Sequence, residues 1–283
     1  GKRRIPATIR WCQMAWRTGR PDRSIASRCS RPTRRMRREA RQRATRTKRG
    51  KARSSPRTRG FSPTRGRGAR PVSSAAVRLV AEKLCRSFGP RKVFGPLSFA
   101  TTPGKVLGVA GANGSGKTTL VKTLVGLIRP SSGTVHLEDD ARPGFRGPVR
   151  EAAGSIGWCA PDLALYGELT PAENLEFFAR VAGRPIPRED AERRIAEVGL
   201  DPKRLRTIRT RFLSTGQRQR VKLAYSVLGA PAVLFLDEPG SNLDEAGHRV
   251  VEAIVTLQRA RGSVVLATND PVELALADER MTL

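Results

Sequence analysis

Eight consecutive residues, Gly111-Ala-Asn-Gly-Ser-Gly-Lys-Thr118, carry three glycines, a lysine and a hydroxyl in the spacing G-x-x-x-x-G-K-[ST]. Gly111, Gly114 and Gly116 allow backbone N–H groups to approach phosphate oxygens closely, with Ala112, Asn113 and Ser115 completing the cradle. A helix opening at Lys117 and continuing through Thr119 would add partial positive charge at its N-terminus. Lys117 would reach the β- and γ-phosphates of a nucleotide, and the Thr118 hydroxyl would bind Mg²⁺. About 120 residues later, Leu234-Phe-Leu-Asp237-Glu238-Pro239 reads as an apolar strand ending in two acids. Carboxylates leaving the C-terminal edge of a parallel sheet arrive where ligands sit in such folds. Asp237 is expected to hold Mg²⁺ through water, and Glu238 to orient or deprotonate the attacking water. The chemistry implied is hydrolysis of a nucleoside triphosphate.

These groups need elements to position them. Val77–Leu84 and Lys92–Ala100 read as strands with a turn at Gly89-Pro90, and Pro103-Gly104 marks a second turn. Val106–Ala110 is a short buried strand entering the glycine loop, and a helix is predicted over Lys117–Arg129, stopped by Pro130. Thr170-Pro-Ala-Glu173 has the capping-box form with Pro171 at the first helical position, and Leu175, Phe178 and Val181 would line one face of that helix. A second helix is predicted over Arg188–Val198, so that roughly 160–228 forms a helical region. Ala232–Leu236 is a buried strand. A helix over Glu245–Arg259 leads to a last strand, Ser263–Ala267. Strands alternating with helices imply an α/β fold with a mostly parallel sheet covered on both faces.

Charge divides the 283-residue chain in two. It carries 54 Lys+Arg, 25 Asp+Glu and a net charge of +29. Residues 1–75 hold 25 basic residues against two acids, Asp22 and Glu39, and residues 76–283 are near balance. Sparse, aperiodic apolar residues in the first segment predict disorder, because too little surface is available to offset ordering entropy. The segment opens on Gly1 and resembles a GC-rich stretch translated ahead of a true start. An inert or extraneous tail is the expectation; a basic arm for nucleic acid or acidic lipid is the weaker alternative. Cys12, Cys29, Cys85 and Cys159 show no metal-ligand spacing and read as reduced thiols. No apolar run approaches the length of a membrane span. Any membrane role must therefore go through partners.

Leu213-Ser-Thr-Gly-Gln217-Arg-Gln-Arg-Val-Lys-Leu-Ala224 adds a third signal. Together with the two motifs above, it resembles the ABC ATPase family, whose signature Leu-Ser-Gly-Gly-Gln precedes a basic helix and then an Asp-Glu-Pro strand. Thr215 stands where the first signature Gly is usual. The resemblance covers roughly residues 77–283. It implies a P-loop domain with a small antiparallel β subdomain and an inserted helical subdomain at about 160–228. It also implies ATP and Mg²⁺ as ligands, and a head-to-tail dimer with a second, identical or related ATP-binding subunit. In that dimer Ser214, Gly216 and Gln217 would meet the γ-phosphate held by the partner. Ser241-Asn-Leu-Asp244 looks like the family's D-loop, which puts Asp244 at the same interface. Phe88 lies where the family places an adenine-stacking aromatic; a core Phe in the antiparallel sheet is the alternative.

Two stretches depart from the family pattern. Ile156-Gly-Trp-Cys-Ala-Pro161-Asp162 lacks the usual loop Gln, and Asp162 is the candidate metal-facing substitute. Asn269 stands where a His is usual; it can donate a hydrogen bond to phosphate but cannot carry charge. Tyr166–Ala179 and the short C-terminus are similar to compact exporter subunits of the haem-exporter or multidrug type. The resemblance implies an ATPase that powers a separate transmembrane subunit, placed in the cytoplasm and peripheral on the inner face of the cell membrane. The Trp158–Tyr166 loop is the candidate contact with that subunit. The rivals are a soluble ABC ATPase acting on nucleic acid or ribosomes, which a single cassette without a coiled-coil insertion disfavours, and a weakly hydrolysing regulatory subunit.

Overall fold

A computed structural model describes residues 77–140, 144–149 and 156–283. The expectations for residues 1–75, including Cys12 and Cys29, lie outside the described residues. Two sheets organise the rest. Strands β1 (Val77–Phe88), β2 (Arg91–Ala100), β4 (Ser132–Asp139) and β5 (Arg146–Pro148) form an antiparallel sheet in the order β2-β1-β4-β5. Strands β3 (Val106–Ala110), β6 (Ile156–Cys159), β7 (Val233–Asp237), β8 (Ser263–Ala267) and β9 (Glu279–Thr282) form a parallel sheet in the order β6-β7-β8-β3-β9.

Strands β3, β6, β7 and β8 are apolar because both their faces are covered. Successive residues of a strand point to opposite sides. Leu234, Leu236, Val264 and Leu266 enter one core with Val221, Leu223, Val251 and Val255. Those partners come from helices α4 (Thr215–Ser226) and α5 (Glu245–Arg259). Val233, Phe235, Val265 and Ala267 face the other way and join Leu120, Val121 and Leu124 of helix α1 (Lys117–Leu124), together with Leu79 and Leu84 of β1. Each large apolar side chain so buried contributes about 1.5–3 kcal/mol, so both faces hold the sheet in place.

Helices α2 (Pro171–Val181), α3 (Arg188–Glu197) and α4 lie in sequence between β6 and β7. The predicted capping box closes on α2: the Glu173 N–H donates to Thr170 Oγ1, and the Thr170 N–H donates back to Glu173 Oε2 at 2.8 Å. Leu175 and Phe178 are buried as expected, but Val181 is exposed because it falls in the last turn, past the packed stretch. Helix α1 ends at Leu124 rather than Arg129. Gly126, at φ 79°, adopts a left-handed backbone that breaks the helical ladder before Pro130 is reached. Ser263–Ala267 is a strand as predicted but not the last one. The polar β9, which pairs with β3, and a short helix α6 (Pro271–Leu274) follow it.

Candidate active site

Register brings the chemistry together. Val109 of β3 pairs with Ala267 of β8, and Ala267 pairs with Asp237 of β7. The residues just beyond that row therefore leave one edge of the sheet side by side: the glycine loop, Glu238, and Thr268-Asn269. Asn113–Thr119, Glu238 and Asn269 line a cleft of about 730 Å³ that also takes in Phe88, Pro161 and Ser241.

The glycine loop is built for close approach. Gly114 and Gly116 have φ of 82° and 110°, conformations that L side chains rarely adopt. A Cβ at Gly116 would also stand 2.7 Å from Val93 Cγ1. Gly116 is the N-cap of α1 and has no side chain to satisfy the first helical N–H groups, which leaves them for an anion. Lys117 is almost fully buried. Its ammonium donates to Gly111 O at 2.7 Å and Ala112 O at 3.2 Å, and lies 3.3 Å from Glu238 Oε1.

Glu238 takes a left-handed backbone at φ 48°, a strained conformation for a non-glycine residue, and its N–H donates to Ala267 O at 2.8 Å. That kink aims its carboxylate into the cleft. Asp237, one residue earlier, is fully buried, and neither carboxylate oxygen has a hydrogen-bond partner. Burial pushes its pKa up to about 6; the nearby Thr118 hydroxyl and Lys122 act against the rise, and the Glu238 and Asp162 charges add to it. A buried, unpartnered carboxylate beside a hydroxyl is a donor set that fits a hard divalent cation such as Mg²⁺.

Asn269 lines the same cleft and donates from Nδ2 to Asn113 Oδ1 of the glycine loop at 2.9 Å. Phe88 is half exposed beside the loop, with the Arg86 guanidinium 4.1 Å from its ring centroid, so it sits on the cleft wall and not in a core. Asp162 is exposed and paired with Lys122 Nζ at 2.5 Å; its neighbour Pro161 lines the cleft. Arg91 and Lys92, which no sequence motif singled out, line it too, as does Ser241, the first residue of the D-loop-like segment. The signal for the two bases is positional: they follow Phe88 across the Gly89-Pro90 turn.

Ser214, Gly216 and Gln217 are not among the residues that line this cleft. Ser214 caps α4 reciprocally with Gln217: the Gln217 N–H donates to Ser214 Oγ at 3.1 Å and the Ser214 N–H to Gln217 Oε1 at 3.0 Å. Ser214 is exposed, and a Cβ on Gly216 would come 2.9 Å from Asn242 O. Asp244 caps α5 through the Gly247 N–H at 2.9 Å and pairs with Arg220; both contacts lower its pKa, the backbone bond most. Gln219 was not anticipated. It is buried in α4, and its amide donates to Pro239 O at 3.0 Å, tying the signature helix to the turn after Glu238. Cys85 and Cys159 are free thiols, and burial pushes Cys159 up to about 12. Among the described residues, no helix is long and apolar enough to cross a membrane.

Comparisons with known proteins agree with this geometry. The ABC transporter family profile matches residues 94–241. The cytochrome c biogenesis ATP-binding export protein CcmA of Pseudomonas aeruginosa is 36% identical over 188 residues, covering 66% of this chain and 90% of that protein. The protein of the same name from Rhizobium meliloti is 34% identical over 200 residues, covering 70% and 94%. A solved dimeric ATP-binding cassette in a post-hydrolysis state, bound to ADP and Pi, aligns with a TM-score of 0.64 at 20% identity, covering 72% of this chain and 94% of that one, which supports the fold. The chain therefore belongs to the ABC transporter family, as an ATP-binding ATPase of the P-loop α/β fold.

Proposed function

We propose that this chain is the energy-supplying subunit of an exporter and acts on a separate transmembrane subunit from the inner face of the cell membrane. The observation that carries the reading is the meeting of Lys117, Glu238 and Asn269 in one cleft, beside the buried Asp237. The glycine-loop amides and Lys117 bind the phosphates of ATP, and Phe88 supports the adenine. Glu238 orients the attacking water and accepts its proton, and Asn269 gives a neutral donor to the γ-phosphate. Mg²⁺, held by Thr118 and Asp237, would supply charge neutralisation at the phosphate oxygens. Asp162 would support that ion only from outside the cleft lining, across its pair with Lys122.

A second cassette, a copy or a relative, would bring its own Ser214, Gly216, Gln217 and Asp244 positions over the bound ATP. Ser214 supports this because its oxygen accepts from Gln217 while its proton stays available to donate. Residues 76–283 form the ATP-binding domain in this reading, and 1–75 an accessory tail. The export role rests on likeness to the CcmA export proteins. Steady-state phosphate release with Mg-ATP, measured beside light scattering, tests the reading: turnover with an ATP-dependent shift to a dimer is expected. ATP binding without turnover would favour a regulatory subunit. Retention on RNA or DNA at about 0.15 M salt would favour a nucleic-acid ATPase.

A further inference from the structure

Behind the turn that follows Glu238, three donor side chains converge without bonding to one another. His248 lies in the first turn of α5, Asp270 caps α6, and Glu273 lies within α6. One ligand atom from each falls within 4.8 Å of the other two. Glu273 is 3% exposed, and its Oε1 has no hydrogen-bond partner. Gly240 makes the room. A Cβ there would stand 2.2 Å from Glu273 Oε1 and 2.8 Å from His248 Nδ1, so any side chain would fill the space where carboxylate and imidazole meet.

A buried carboxylate with an open oxygen is costly unless a positive charge answers it. Burial raises the pKa of Glu273 and Asp270 raises it further, while the Thr268 hydroxyl, the Gly240 N–H and His248 favour the anion. These groups temper the problem without closing it. One imidazole and two carboxylates make a mixed N/O set that suits Zn²⁺ and its first-row neighbours better than Mg²⁺ or Ca²⁺. Tetrahedral bonds of 2.0–2.1 Å put ligand atoms roughly 3.4 Å apart, so small side-chain rotations would close the set. His248 and Asp270 are half-buried, which leaves a way in for the ion and room for water in the remaining position.

We propose that His248, Asp270 and Glu273 form a binding site for one divalent first-row transition metal, of the Zn²⁺ type, separate from the Mg-ATP cleft. Occupancy would tie three segments together: the Gly240-Ser241 turn, the first turn of α5, and the segment that carries Asn269. The ion therefore has a route to the cleft through positioning rather than contact.

The test uses the full chain, stripped of metal and nucleotide and titrated with Co²⁺ at pH 7.5 while visible d–d absorption is recorded, followed by displacement with Zn²⁺. One equivalent is expected per chain. His248→Ala and Glu273→Gln should each weaken binding by at least about tenfold, while His136→Ala leaves it unchanged. Zn²⁺ should raise the melting temperature of the parent chain and not that of H248A, which separates loss of the site from loss of the fold. Co²⁺ binding weaker than about 1 mM, binding unaltered in H248A, or an intense sulfur-to-cobalt band that assigns the ion to cysteines would overturn the proposal.

Discussion

Replacing Asp237 by Asn should stabilise the nucleotide-free chain while removing its hold on Mg-ATP. The carboxyl is fully buried and its pKa rises from 3.8 to about 6, chiefly through burial. That rise corresponds to about 3 kcal/mol against the ionised form. The sign follows from proton linkage. Below 3.8, folded and unfolded chains both hold the proton and no penalty exists. Between 3.8 and about 6 the unfolded chain releases it first, so stability falls as pH rises; above about 6 the full penalty stands. Asn removes the charge at nearly constant volume. In urea melts without nucleotide, Asp237→Asn should exceed the parent by up to about 3 kcal/mol at pH 7.5 and by only about 1 kcal/mol at pH 4.5. Saturating Mg-ATP should stabilise the parent and leave the variant nearly unmoved. A variant less stable than the parent at pH 7.5, or a difference that ignores pH, would refute the view that this carboxylate waits, desolvated, for a cation.

Lys117→Ala should weaken ATP binding by about a hundredfold or more, since charge-assisted bonds of about 1.5–3 kcal/mol each are lost; equilibrium dialysis with labelled ATP checks this. Glu238→Gln should keep binding, lose turnover and accumulate an ATP-bound dimer in light scattering; a variant that turns over normally would remove Glu238 from its role. Asn269→His should raise turnover by about tenfold with little change in ATP affinity, and Asn269→Ala should lower it. Equal steady-state rates for the parent and Asn269→Ala would mean that the side chain serves only its bond to Asn113. Gly116→Ala should cost about 1–3 kcal/mol in thermal melts, because a positive φ and the Val93 contact both resist a side chain.

Much of the site was legible because its parts are local. Gly111–Thr118, Asp237-Glu238 and Ser214–Gln217 each occupy a few contiguous residues whose types state their chemistry, and β3, β8 and α5 begin and end where their apolar pattern does. What escaped depends on contacts distant in sequence. Strand β9 is polar and short, and is a strand only because β3 offers it an edge. Strand β4 is half-buried at one end only and gains its identity from pairing with β1. The apolar spacing that suggests a helix to Arg129 continues past Gly126, but the left-handed backbone there ends α1 at Leu124. Gln219 and Glu273 carry no motif, and both are assigned by the turn after Glu238 against which they pack.

The 3.3 Å pair between Lys117 and Glu238 sets one positive and one negative charge against each other at the heart of the cleft. The lysine's charge is answered by the carboxylate that the proposed mechanism places on the attacking water. A phosphate bound in the proposed way would compete with that carboxylate for the ammonium. On the proposed reading, phosphate binding and the freeing of the Glu238 carboxylate would be one electrostatic exchange, because both anions draw on the same ammonium.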